Sequence, residues 1–204
     1  MIQNLHHIFY LVTNIVNMSG KIELVIGCMY SGKSTELQRR IRRFLSIKKE
    51  VMVIKHASDT RYDNGSYLST HDRNTIPCIS VNKLDFIKTK EPADLYSKLI
   101  DTDVIVIEEG QFFPDLLEMI VYAADSMKKH CIIGGLNGDF QRNPFGDINL
   151  LVPHAESIHK LSALCVLCGD GTAAHFSKRI TASKNQILVG SENDYIPVCR
   201  KHYL

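Results

Sequence analysis

The sequence has no apolar run approaching the roughly 18 residues that a membrane-spanning helix needs, and it shows no internal repeat and no low-complexity tract. It also lacks an excess of either charge, since 24 Lys and Arg stand against 22 Asp and Glu for a formal charge of +2. These absences argue against a helical membrane protein, a repeat solenoid and a broad basic surface, so neither a membrane nor a nucleic acid is an expected partner. Residues 1–17 are apolar through Leu5, Ile8, Phe9, Leu11, Val12, Ile15 and Val16. No Lys or Arg precedes that stretch and no small-residue cleavage site follows, which argues against a secretory signal. The expectation is an extension outside the fold, with Met18-Ser19-Gly20 as a natural start. Six cysteines in such a chain point to a metal site or free thiols rather than a disulfide framework. What is present is 204 residues, 45% of them hydrophobic, enough for one medium α/β domain and a small appendage.

The stretch Gly27-Cys28-Met29-Tyr30-Ser31-Gly32-Lys33-Ser34 fits G-x-x-x-x-G-K-[ST], the phosphate-binding loop. Ile22 to Ile26 before it reads as a buried strand, and Leu37, Ile41, Phe44 and Leu45 after it recur at helical spacing. Strand, loop and helix together are what this chemistry requires. Glycines let backbone N–H groups curl around phosphate oxygens, and the helix N-terminus adds partial positive charge. Lys33 would reach the β- and γ-phosphates and the Ser34 hydroxyl would ligate Mg2+. The expected ligand is a nucleoside triphosphate.

Val51 to Lys55 reads as a second buried strand, and from His56 to Thr75 the chain becomes a long polar loop. A helical segment is predicted within Lys83 to Ile100, with Pro92 near its break or start. Asp103 to Glu109 is a continuous apolar run ending in two acids, as in a parallel strand covered on both faces. Ligands sit at the carboxyl ends of such strands, so Glu108 and Glu109 fall where a phosphate-bound Mg2+ would be. One acid can hold the metal through water while the other takes a proton. A helix over about Asp115 to Lys129 and a strand at Cys131 to Gly134 complete a P-loop α/β fold, a parallel sheet flanked by helices. In the loop after it, Phe140 and Phe145 could wall a flat organic acceptor, although two such aromatics alone more often belong to a core.

From Leu161 the pattern changes. Cys165 and Cys168 form C-x-x-C, and Cys199 and His202 form C-x-x-H about thirty residues later. Two such knuckles offer four ligands to a tetrahedral Zn2+ with no open position, which makes the expected site structural. Cys28, Cys78 and Cys131 read as small buried hydrophobes. Between the knuckles, His175 to Ala182 and Gln186 to Val189 read as strands, followed by Gly190 to Tyr195. A loop tied at both ends by zinc can close over a ligand as a lid.

Taken together, these residues resemble the thymidine kinases shared by animal cytosol, many bacteria and large DNA viruses such as poxviruses. The likeness runs from about Ser19 to Tyr203. It is carried by the phosphate loop, Asp59-Thr60-Arg61-Tyr62, Thr70 to Thr75, Glu109-Gly110-Gln111-Phe112-Phe113-Pro114-Asp115, Phe140-Gln141-Arg142 with Pro144-Phe145, and the zinc ligands in order. The resemblance implies γ-phosphoryl transfer from ATP to the 5′-hydroxyl of thymidine or deoxyuridine with Mg2+. It implies a cytoplasmic homotetramer inhibited by dTTP, with a kinase domain at 18–160 and a zinc-ribbon or lasso domain at 161–204. It makes Glu109 the base and Glu108 the Mg2+-linked acid, and sets Asp59, Thr60, Arg61 and Gln111 with the phosphate loop at ATP. It assigns Met29, Phe112, Leu136, Phe140, Phe145, Ser177 and Tyr195 to the nucleoside pocket, and Gln186, Ile187, Leu188, Val189 and Gly190 to lid backbone gripping the base. The sequence departs from the family pattern at Cys28 for Pro, Asn137 for Asp, a longer Gly169–Ala174 segment, and Glu108 for Asp.

Overall fold

The computed structural model describes residues 19–58, 67–69, 75–182 and 194–204. Residues 1–17, Asp59 to Arg61 and Gln186 to Gly190, all singled out above, lie outside the described residues. In chain order the elements are β1 (Lys21–Gly27), α1 (Lys33–Ser46), β2 (Val51–His56), β3 (Tyr67–Ser69), β4 (Thr75–Pro77), β5 (Ile79–Val81), α2 (Phe86–Thr89) and α3 (Ala93–Asp101). There follow β6 (Val104–Glu108), α4 (Leu116–Asp125), β7 (His130–Gly135), β8 (Ser157–Leu161), β9 (Ala163–Leu164), β10 (Ala173–Ala174), β11 (Phe176–Arg179), β12 (Tyr195–Val198) and α5 (Arg200–Tyr203). Short 3-10 segments cover Gly110–Phe112 and Gly146–His154.

The main sheet has six strands in the order β5-β2-β6-β7-β1-β8, and every pairing is parallel. Side chains alternate across it. Val25, Val53, Val106 and Ile132 face Leu37 and Ile41 of α1, whereas Leu24, Ile54, Ile105, Ile107 and Ile133 face Phe86, Leu99, Leu116 and Ile120 on the other side. Both faces are covered, which is why β6 is buried at every residue and reads as a continuous apolar run. A polar network at the amino edge ties α1 to β1: Arg40 pairs with Glu23 and with Glu36, the latter at 2.8 Å.

Several expectations shift. The polar 56–75 stretch contains β3, which pairs antiparallel with β4. The helix expected to reach Lys129 ends at Asp125, and Leu45 of α1 is half exposed although it follows the helical repeat. Strand β8 was not foreseen because its Ile158, His159 and Lys160 are exposed, as an edge strand allows. Since β8 runs through Leu161, the main sheet extends one residue past the expected boundary.

Beyond Leu161 the chain forms two antiparallel ribbons, β9 with β10 and β11 with β12. Their small core contains Ala163, Cys165, Ala174, Val198 and Cys199, together with Cys28 from the main domain.

Candidate active site

The carboxyl edge of the sheet gathers the ends of β1, β6 and β7. β1 stops at Gly27, where a Cβ would meet the Leu161 carbonyl oxygen at 2.6 Å and Ser31 Oγ at 2.7 Å, so the loop turns that tightly only with glycine. Gly32 caps α1 at φ 80°, a left-handed conformation suited to glycine. Lys33 Nζ and Ser31 Oγ both donate to the Cys28 carbonyl at 2.8 Å, which folds the lysine back over the loop. The first N–H groups of a helix make no bonds within it, so the start of α1 is an end at which an anion can be held.

β6 ends at Glu108, and Glu109 follows at φ 53°. A non-glycine residue held there costs about 1–3 kcal/mol and marks a position fixed by its surroundings. Gln111 orients the Glu109 side chain: its Nε2 donates to Glu109 Oε2 at 2.5 Å, and its Oε1 accepts the Leu136 N–H at 2.9 Å. Both acids are only 7% exposed. One strand, β7, separates β6 from β1, so the two strands that lead to the acids and to the phosphate loop run about 10 Å apart.

Of the expected nucleoside-pocket residues, Phe112 meets Phe145 edge to face at 5.6 Å. Phe145 is buried. Phe140 and Tyr195 are joined through Arg179, whose guanidinium lies 3.8 Å from the Phe140 ring centre and 4.9 Å from that of Tyr195, with Nε donating to the Tyr195 hydroxyl at 3.1 Å. Met29 N–H donates to Ser177 Oγ at 2.9 Å, and Leu136 joins through Gln111.

Sequence reasoning passed over Lys55, Asp139 and Arg179. Lys55 stands beside Glu108 in the β2–β6 register and is 3% exposed; a cation closing an apolar strand was its signal. Asp139 Oδ1 accepts the N–H groups of Gln141 at 2.8 Å and Asn143 at 2.9 Å, an Asx-type turn that shapes the loop carrying Phe140 and Phe145. Nothing local marks Arg179, whose partners come from 39 residues upstream and 16 downstream.

Ligand atoms of Cys165, Cys168, Cys199 and His202 all lie within 4.8 Å of one another. His202 Nδ1 is 3.5 Å from the Cys165 sulfur, 3.3 Å from Cys168 and 3.5 Å from Cys199. Burial opposes ionisation of Cys165, but the N–H groups of Cys199 and Cys168 and the His202 ring outweigh it and hold the thiol low. Burial and the neighbouring thiols push Cys168 up. A divalent cation removes that resistance by balancing the thiolates, and three sulfurs with one imidazole suit Zn2+.

A family model described as thymidine kinase matches residues 20–203. The chain belongs to the thymidine kinase family. It is 42% identical over 185 residues to a thymidine kinase of Yaba monkey tumor virus, covering 91% of this chain and 95% of that protein. It is also 42% identical over 184 residues to the human cytosolic thymidine kinase, covering 90% of this chain and 73% of the relative. Thymidine kinase 1 of Dictyostelium discoideum is 42% identical over 192 residues, with 93% and 80% covered. The match therefore takes in both the parallel sheet and the cysteine cluster. Among the described residues no helix is long and apolar enough to cross a membrane.

Proposed function

We propose that this chain transfers the γ-phosphoryl group of ATP to the 5′-hydroxyl of thymidine or deoxyuridine, the nucleoside-salvage reaction named for its relatives. The observation that carries the reading is a phosphate loop and two buried acids on one edge of the sheet, with the Phe112–Phe145 ring pair following the acids in the chain. Gly27 to Ser34 cradle the triphosphate, and Lys33 swings from the Cys28 carbonyl to the phosphates. Glu109 accepts the 5′-hydroxyl proton as that oxygen bonds to the γ-phosphorus; the bond to the β,γ-bridging oxygen breaks and ADP leaves. Gln111 keeps the Glu109 carboxylate aimed during this step. The Ser34 hydroxyl and the Glu108 carboxylate are hard oxygen donors that fit Mg2+, which neutralises charge on the phosphates. Phe112, Phe140, Phe145, Leu136, Met29, Ser177 and Tyr195 wall the nucleoside, with the 186–190 backbone as its lid. Cys165, Cys168, Cys199 and His202 hold a structural Zn2+ in the 161–204 domain. Homotetramer assembly, dTTP inhibition and a cytoplasmic setting belong to the same reading, by family likeness.

Measuring ADP formation from MgATP tests it. The expected result is turnover that requires thymidine or deoxyuridine. Turnover that depends on DNA or RNA instead, or ATP binding with no turnover on any nucleoside, would overturn the reading. Gel filtration with added dTTP checks assembly, and dTTP titration of the rate checks feedback.

A further inference from the structure

We propose that Cys28 and Ser177 are positioning residues that tie the phosphate loop to both halves of the cysteine–histidine cluster, so that zinc and ATP strengthen one another's binding. This rests on the reading above, with ATP at the loop and zinc at the cluster.

Two consecutive loop residues reach two different ribbons. The Cys28 thiol donates to the Ala174 carbonyl at 3.4 Å, and the Ala163 N–H faces the same sulfur. Ala163 and Ala174 are a register pair of β9 and β10. Cys165 comes immediately after β9 and closes that ribbon by donating its N–H to Thr172 at 2.8 Å. The next loop residue, Met29, donates its N–H to Ser177 Oγ at 2.9 Å. Ser177 sits opposite Pro197 in the β11–β12 ribbon, which leads directly into Cys199. Residue 28 is thus fastened to the ribbon leading to Cys165 and Cys168, and residue 29 to the one leading to Cys199 and His202.

An ion held by Cys165 and Cys168 on one side and by Cys199 and His202 on the other would fix the separation of the ribbons, and through them the shape of the loop. The Cys28 and Ser177 side chains are buried, at 5% and 6% exposed. Burial pushes the Cys28 thiol up, so it keeps the proton it donates. The Met29 N–H is spent on Ser177, so it sets the loop's curvature for the neighbouring N–H groups. Without zinc the ribbons remain joined by Val166 N–H to Pro197 and His175 N–H to Val198, both at 3.2 Å. Zinc loss therefore loosens the frame rather than dissolving it. Coupling between sites usually spans about 5–150-fold in affinity and is reciprocal, and a loosened frame belongs at its lower end.

The test measures a non-hydrolysable ATP analogue with Mg2+ by calorimetry on the full chain, zinc-loaded and chelator-stripped, with circular dichroism to verify the fold. Zinc affinity is read by competition with a chromophoric chelator, with and without the analogue. Stripping zinc is expected to weaken the analogue about 5–20-fold, and the analogue to tighten zinc by the same factor. In Cys28→Ala/Ser177→Ala both factors should collapse toward one while stoichiometric zinc is retained. Cys28→Ser/Ser177→Ala, which keeps a donor at residue 28, should retain part of the coupling that Cys28→Ala/Ser177→Ala loses. Equal analogue affinity with and without zinc in a folded chain, or unchanged coupling in the double variant, overturns the proposal and leaves the kinase reading standing. A zinc-loaded chain that binds no analogue, or a native chain with no zinc, overturns both.

Discussion

The parallel sheet and the C-terminal ribbons solve the same problem by different means. The sheet buries both faces against helices, and most of its central residues are inaccessible to solvent. The ribbons have two strands each, a number that is marginal alone in water. They leave Leu164 66%, Val166 54% and Leu167 53% exposed. Their small core contains Cys165 and Cys199 of the cysteine–histidine cluster. The sheet is therefore held by area removed from water, whereas the ribbons gather Cys165, Cys168, Cys199 and His202 into a cluster where a metal would bring distant segments together. The proposed active site would draw on both: the sheet edge for phosphate and proton transfer, and the ribbons for a wall of the nucleoside site.

The largest effect should come from the sheet edge. Glu109→Gln removes the proposed base and is expected to lower kcat by roughly 10²–10⁴. ATP affinity, read by calorimetry, should barely change; parallel loss of both would make Glu109 a binding group instead. Next come paired lesions, one per region. Leu37→Ala opens a cavity between α1 and the sheet and should cost about 2–5 kcal/mol in global unfolding by urea, with zinc still bound. Cys168→Ala should do the reverse, releasing zinc and raising the thymidine KM while the main transition stays. If the two gave the same unfolding profile, the regions would be one cooperative unit and the comparison would fail. A smaller effect is expected from Glu108. Glu108→Gln should raise the Mg2+ concentration for half-maximal rate several-fold, and Glu108→Asp should preserve or raise activity. A Glu108→Gln enzyme that kept its Mg2+ requirement but lost the base limb of its pH profile would exchange the roles of the two acids.

The smallest effect lies on α1. Hydrogen bonds from Arg39, with those from Arg40 and against the effect of burial, hold the Glu36 carboxyl down from 4.5 to about 2. A carboxyl lowered on folding adds stability that is present above its unfolded value and is lost as pH falls through the folded one. The loss should fall between pH 4.5 and about 2. Glu36→Gln should flatten the fall in melting temperature across that window, and an unchanged acid limb would assign it to other carboxylates.

By itself the sequence determined the elements whose chemistry is local. The phosphate loop is legible because glycine, lysine and serine must stand at fixed spacing between a strand and a helix. β1, β2, β6 and β7 are legible because strands covered on both faces must be apolar throughout, and the cysteine–histidine cluster because each of its pairs lies close in the chain. Strand β8 was hidden because an edge strand tolerates Ile158, His159 and Lys160 in water. β9, β10 and β12 were hidden because two to four residues carry no readable period. What only the tertiary structure decided is which distant groups meet: Gln111 beneath Glu109, Lys55 beside Glu108, Arg179 between Phe140 and Tyr195, and Cys28 against Ala174. Each depends on strand order or ribbon register, and those are fixed when whole faces are buried together, so no short window of residues contains them.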